Sequence, residues 1–224
     1  MAGQNPTKPV EFIMNKALER ARQNELLKRD KLTYERVYIA YNLNEKEEPI
    51  KPEKKRETVL VEKGGVEKVM DKNGRYYTKT GGASGPRFDM IRALESMTKF
   101  QDLEIVRIDM IGDRPFYLIN FKPRTDRSRP RPTNDIEEVI VRSAGWIYID
   151  IEKFHIKQLA GWMTRPYSRA WGFFSLTRAN FDITQEELEG VVVIKDVKVI
   201  DKYSVFGFDT FERQTWEYTN YRVN

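Results

Sequence analysis

The stretch Gly145-Trp-Ile-Tyr-Ile-Asp-Ile-Glu-Lys-Phe-His-Ile-Lys-Gln-Leu-Ala-Gly-Trp-Met163 sets two Gly-Trp pairs on either side of the only histidine in the chain. With a strand's period of two, Trp146 and Tyr148 share one face and Ile147 and Ile149 the other, so both faces are apolar. A strand with no water side must be covered on both. Ile151-Glu152-Lys153 separates it from a second apolar run, FHIKQLAGWM, and the pair reads as a hairpin.

Outward from this hairpin the pattern repeats. DLEIVRIDMI and FYLINFKP flank Gly112-Asp113-Arg114-Pro115 as a hairpin, and EEVIVRSAGWIYID reads as one strand leading into Asp150. LTYERVYIAY gives a first strand over 32–41, and RETVLVEK and VEKVM give two more around Gly64-Gly65. Asn73-Gly74 predicts a type I′ turn, which needs positive φ at both central positions. NLNEKEEPIKPEKKR, with its charges and two prolines, reads as a connector loop. RPYSRAWGFFSLTRANFD is ambiguous, and GVVVIKDVKVI, YSVFGFDTFE and RQTWEYTNYRV supply two or three closing strands.

Helices are confined to two places. Val10, Ile13, Met14, Ala17, Leu18 and Ala21 form an apolar stripe over 9–28, with Thr7 and Pro9 as the start signal and a basic tail in ELLKRDK. A second helix is expected over 86–99, with Phe88, Ile91, Leu94 and Met97 facing a core. About ten strands in consecutive hairpins, with helices set apart from them, describe an α+β fold with a large antiparallel sheet. At 224 residues the chain buries roughly 70% of its unfolded surface. We read one domain over 1–224: helix 9–28, first strands 32–79, helix 86–99, remaining strands 102–224.

Composition excludes more than it assigns. The chain has no cysteine, which removes disulfides, thiolate metal sites and cysteine nucleophiles. With a single histidine no imidazole cluster can hold a metal, and His155, beside Lys153 and Lys157, is expected in a structural or surface role. GGASGP lacks the Lys-Ser/Thr of a phosphate-binding loop and the final glycine of a nucleophile elbow. Asp150 and Glu152 lie at the expected hairpin turn, where carboxylates satisfy backbone amides. No enzyme signature and no cofactor site emerges. The net charge of +5 is the small difference of 39 basic and 34 acidic groups, so it is weak grounds for a polyanion partner. The basic residues concentrate in KPRTDRSRPRPTND, where Arg124, Arg127, Arg129 and Arg131 on an exposed proline-bearing loop are candidates for an anion or lipid headgroup. Basic and aromatic residues alternate in RPYSRAWGFF as in a nucleic-acid groove, yet neither an RRM nor a helix-turn-helix pattern is present, and no nucleic acid is expected. No run of about 18 apolar residues spans a bilayer.

The order of elements, an amphipathic N-terminal helix, antiparallel strands, a short helix before VRIDMIGDRPFYLINFKPR, and then GWIYIDIEKFHIKQLAGWM, resembles the LolA/LolB-like lipoprotein-carrier superfamily and its outer-membrane lipoprotein-sorting relatives. That resemblance implies an unclosed β-barrel: a strongly curved sheet around an apolar cavity, with the helices on its open side. It implies a non-enzymatic periplasmic protein, once an export signal is removed, that binds lipid or lipoprotein acyl chains. The expected cavity wall is Trp146, Tyr148, Trp162, Phe206 and Phe208, with the second Trp146-strand face covered by neighbours such as Trp162. The alternative is an envelope interaction or scaffold module with the same fold and a filled interior, docking a protein partner; a basic nucleic-acid-binding protein comes after it, against the missing motifs.

Overall fold

The computed structural model describes residues 8–78, 89–125, 130–169 and 173–223, and the side chains of 135 and 136 are outside that description. Helix α1 (Val10–Lys31) is followed by β1 (Leu32–Leu43), β2 (Pro49–Glu62), β3 (Val66–Met70) and β4 (Tyr76–Tyr77). Helix α2 (Met90–Phe100), β5 (Gln101–Ile111), β6 (Arg114–Pro123), helix α3 (Asp135–Ile140), β7 (Ser143–Asp150) and β8 (Ile156–Met163) come next. The chain closes with β9 (Tyr167–Arg169), β10 (Phe174–Leu188), β11 (Val191–Val205) and β12 (Phe208–Val223).

Among the described residues the strands join one 12-stranded antiparallel sheet of order β4-β3-β2-β1-β12-β11-β10-β8-β7-β6-β5, with β9 beside β10. Most neighbours are consecutive hairpins. The exceptions are β8 against β10, with the short β9 between them in sequence, and β1 against β12, from Leu32↔Val223 to Asn42↔Glu212, which joins the two ends of the chain. The sheet is open, and it curls: α1 touches β1, β11 and β5, strands far apart in the sheet order, which only a wrapped sheet brings within reach of one rod.

The α1 stripe does what its spacing predicts. Ile13, Met14 and Ala17 are fully buried, and Val10, Leu18 and Ala21 pack against the same core. Thr7 lies outside the described residues. The helix runs one turn past the expected end, and Lys28, Arg29 and Lys31 sit in its last turn, where the C-terminal carbonyls favour positive charge. Helix α2 starts at Met90, four residues after the expected Pro86. Asp89 is its N-cap and accepts from Arg92 N at 3.1 Å. Leu94 and Met97 are buried and Ile91 half-buried as expected, whereas residues 79–88, with GGASGP, Pro86 and Phe88, lie outside the described residues.

The opening stretch explains itself in register. Gly145 pairs with Gly161 and Ile147 with Leu159, and all four face the core, where Ile147, Ile149 and Leu159 are essentially fully buried beneath α1 and α2. Trp146 pairs with Ala160 on the outer face, and its ring lies 6.0 Å from that of Trp162. Thus the second face is covered by Trp162, as expected. The glycines are there for space. A Cβ on Gly145 would stand 2.1 Å from Ala160 O and 2.7 Å from Phe121 Cζ; one on Gly161 would stand 2.7 Å from Phe181 Cζ. The two rings fill the hollow that the paired glycines leave.

Three local expectations are corrected. NLNEKEEPIKPEKKR is not a loop throughout: only Asn44–Glu48 turns, and Pro49–Arg56 belongs to β2. The pairing jumps from Ala40↔Lys55 to Asn42↔Ile50, so the residues around Pro52 bulge out of the ladder and cost no hydrogen bond there. EEVIVRSAGWIYID is not one strand. Asn134 caps α3 by accepting from Glu137 N at 3.0 Å, while the Glu137 carboxylate accepts from Thr133 N at 2.6 Å, a capping-box arrangement that outweighs the branched residues of DIEEVI. At Asn73-Gly74 only Gly74 has positive φ (+77°), and the Asp71 carboxylate accepts from Asn73 N and Arg75 N, so the hairpin closes with a wider loop than type I′.

Candidate functional site

β11 and β12 are not paired along their whole length. Their ladder runs from Val205↔Phe208 to Asp196↔Glu217 and stops, leaving Val191–Ile194 without β12 beside them. The backbone groups exposed there still need partners. Asn24 of α1 supplies them for Val192: its Nδ2 donates to Val192 O at 2.6 Å and its Oδ1 accepts from Val192 N at 2.7 Å. The Tyr221 hydroxyl donates to Ile194 O. An α-helix therefore docks on a sheet edge through one amide that mimics a strand's pairing.

Where the strands part, a cleft of about 330 Å³ opens between α1 and the concave face. Its roof is the α1 face with Ala17, Ala21 and Asn24, two of them small enough to leave space. Its floor includes Tyr34, Tyr218, Tyr221, Val192, Ile194 and Val61, and Met90, Ile91, Phe154 and Ile156 add apolar surface. Arg20, Lys28, Arg36, Glu25, Glu67 and Asp89 supply the charge. Arg36 is buried, with Nη2 3.4 Å from Glu67 Oε1. The three tyrosines form a connected set, with the Tyr34 ring 6.0 Å from Tyr218 and 5.3 Å from Tyr221. Burial raises the Tyr218 and Tyr221 hydroxyls far above the ordinary tyrosine range, so both are neutral donors.

His155 lines this cleft rather than an exposed polar face. It is 8% exposed, and Arg20 Nε donates to its Nε2 at 2.7 Å. Burial first, then the Arg20 charge, lowers its pKa to about 4, so the imidazole is neutral, with Nε2 as acceptor and the proton on Nδ1. Glu187 Oε2 stands 3.9 Å from Nδ1. Asp150 does the turn work expected of it: it accepts from Glu152 N at 3.0 Å and Lys153 N at 2.7 Å, pairs with Arg114, and is 2% exposed. Among the described residues no group of three or more His, Asp or Glu could hold a metal ion. No helix among them is long and apolar enough to cross a membrane.

The residues expected to line a cavity stand elsewhere. Trp146 and Tyr148 lie on the outer face with Trp162, and the Tyr148 hydroxyl donates to Asp109 Oδ2 at 3.1 Å. Phe206 and Phe208 are at the β11–β12 turn, 70% and 79% exposed. Of the loop arginines, Arg124 is tied to the end of α2: its Nε donates to Gln101 O at 3.1 Å and its backbone N to Phe100 O at 3.2 Å. Arg131 is exposed, and Arg127 and Arg129 lie outside the described residues. Sequence reasoning missed the cleft's own residues. Asn24 continues the spacing of the α1 stripe three positions after Ala21, and a polar residue on that stripe is the one signal that pointed here.

No family model matches the chain, and no curated protein matches it. Solved structures do. The chain is similar to a LolA superfamily protein from Nitrosomonas europaea, at 13% identity and a TM-score of 0.40, over 97% of this chain and 94% of that one. A DUF1329 family protein from Desulfovibrio piger matches at 10% identity and a TM-score of 0.38, again over 97% and 94%. A domain from Vibrio parahaemolyticus assigned to outer membrane lipoprotein sorting matches at 10% identity and a TM-score of 0.35, over 94% and 93%. All three matches extend over nearly the whole of each chain.

Proposed function

We propose that this is a non-enzymatic protein that binds an amphiphile in the cleft beneath α1, taking one acyl chain against the tyrosine and aliphatic floor. The carrying observation is the parting of β11 from β12 under a helix face of small residues, which leaves about 330 Å³ open between helix and sheet. That volume is at the small end of ligand sites, so it suits a single chain better than the several chains of a lipoprotein. Each methylene taken from water contributes about 0.8 kcal/mol, so a chain binds without a polar motif. Arg20, Lys28 and the Arg36–Glu67 pair give the polar end of such a ligand partners at the cleft wall. The periplasm is the setting we propose for it.

Organic extraction and mass spectrometry of the purified protein, with titration of a fluorescent fatty acid, test this reading. Wild type is expected to yield or take up a single-chain amphiphile, and Ala21→Trp, which fills the roof, to take up none. Absence of any amphiphile together with no fatty-acid uptake by wild type overturns it.

A further inference from the structure

The β11–β12 turn carries a feature the cleft does not use. Val205 pairs with Phe208 across the two-residue loop Phe206-Gly207, in which both residues have positive φ, +51° and +82°. This is a type I′ turn, and its first position favours Asn, Asp or Gly over a bulky ring. Here Phe206 occupies it. Its backbone N donates to Phe173 O at 2.8 Å, and the two rings lie 5.3 Å apart. Phe208, Phe206, Phe173 and Val205 are 79%, 70%, 55% and 38% exposed. Three phenyl rings thus stand in water at one tip.

The tip projects. The last β1 residue paired with β12 is Asn42, opposite Glu212, and β1 ends one residue later, so residues 208–210 run on past β1 for about 10 Å at a strand's rise. On the other side β8 pairs with β10 no further than Asn180↔Trp162, and the short β9 takes its place beside Phe174–Leu176. The charge beside the rings is positive. Arg169 lies over the Phe174 ring at 5.6 Å, Lys202 and Arg169 are exposed, Arg165 lies in the segment just before β9, and Asp209 is the acidic residue at the tip. β6 ends at this same end of the sheet, where β7 begins and β8 ends.

We propose that this aromatic finger seats the protein on an anionic phospholipid surface, with Phe206, Phe208 and Phe173 entering the headgroup–acyl boundary and Arg169 and Lys202 meeting the phosphates. Splayed rings on a projecting tip with cations just behind them match the layered polarity of a bilayer interface, apolar below and anionic above. A flat apolar patch with neutral edges would instead match a protein partner. The proposal is independent of the cleft reading.

Flotation with vesicles of phosphatidylcholine alone and with added phosphatidylglycerol tests it. Wild type is expected to float with the anionic vesicles, more weakly as salt rises, and to bind neutral ones about tenfold less. Phe206→Asn/Phe208→Ser is expected to lose about tenfold or more of that binding while its melting temperature holds or rises, because asparagine suits the turn. Ala21→Trp is expected to bind vesicles as wild type does. Failure of wild type to bind anionic vesicles, as for a tip that seats in a protein pocket, overturns the proposal. Undiminished binding by the doubly substituted chain, or equal binding to both vesicle types, overturns it as well.

Discussion

On the concave face, Asp201 of β11 stands opposite Glu212 of β12. Gln214 Nε2 donates to Asp201 Oδ2 at 3.2 Å and to Glu212 Oε1 at 3.0 Å, and Lys54 Nζ lies 2.6 Å from Glu212 Oε2. The lysine thus serves Glu212, while Asp201 Oδ1 is buried without a hydrogen-bond partner among the described residues. Burial first, then the neighbouring Glu212 charge, raises the Asp201 pKa from 3.8 to about 6. Well below pH 3.8 this carboxyl is protonated in both folded and unfolded chains and contributes nothing. As pH rises from 3.8 to about 6 the unfolded chain gives up its proton and the folded one keeps it, so stability falls; above 6 the loss is complete and constant. At 1.36 kcal/mol per pH unit the loss is about 3 kcal/mol. Asp201→Asn removes the charge and gives Glu212 a donor, at a cost of about 1 kcal/mol for burying an amide. The expected net gain at pH 8 is about 2 kcal/mol, or about 4 to 8 °C in melting temperature at this chain length. The assay is urea and thermal unfolding of both chains from pH 4 to pH 8. A difference that does not change with pH, or an asparagine variant less stable than wild type at pH 8, refutes the reasoning.

Asn24→Ala leaves the Val192 N–H and C=O buried without partners, at a cost of about 2 to 4 kcal/mol, and amide exchange at Val192 is expected to accelerate ahead of the rest of β11. Equal protection in the two chains sinks the idea that Asn24 latches the helix to the sheet. His155 carries the opposite pH sign to Asp201: its pKa is depressed from 6.5 to about 4, so the unfolded chain binds a proton that the folded one refuses, and stability falls as pH drops through that range. His155→Gln, whose amide oxygen can still accept from Arg20, is expected to flatten that acid limb; an unchanged acid limb in denaturant titrations contradicts it.

How much was legible follows from what each element depends on. The α1 stripe, the hairpins at Gly112 and at Ile151–Lys153, and the two-faced β7 strand were readable because short-range spacing alone selects them. β2 and α3 were misread for the opposite reason. Pro52 looked like a break but falls in a bulge that exists only because β1 is its partner, and DIEEVI looked like a strand until its cap was satisfied by Thr133, Asn134 and Glu137 together. The candidate wall residues were chosen for being large and apolar. Size does not say which side of a sheet a residue faces, and the register set Trp146 and Tyr148 outward while the turn carried Phe206 and Phe208 to the tip.

The sequence by itself determined an antiparallel sheet of hairpins with an amphipathic helix laid on it, since 3.6- and 2-residue periodicities and turn residues act within a few positions of the chain. Tertiary structure alone decided where the sheet opens. The cleft depends on β1 meeting β12 nearly 200 residues away, on β11 leaving β12 at Asp196, and on Asn24 crossing 168 residues to pair with Val192. Contacts of that range have no local signature, because the groups that form them are ordinary in their own neighbourhoods and acquire a role only when the curved sheet brings them together.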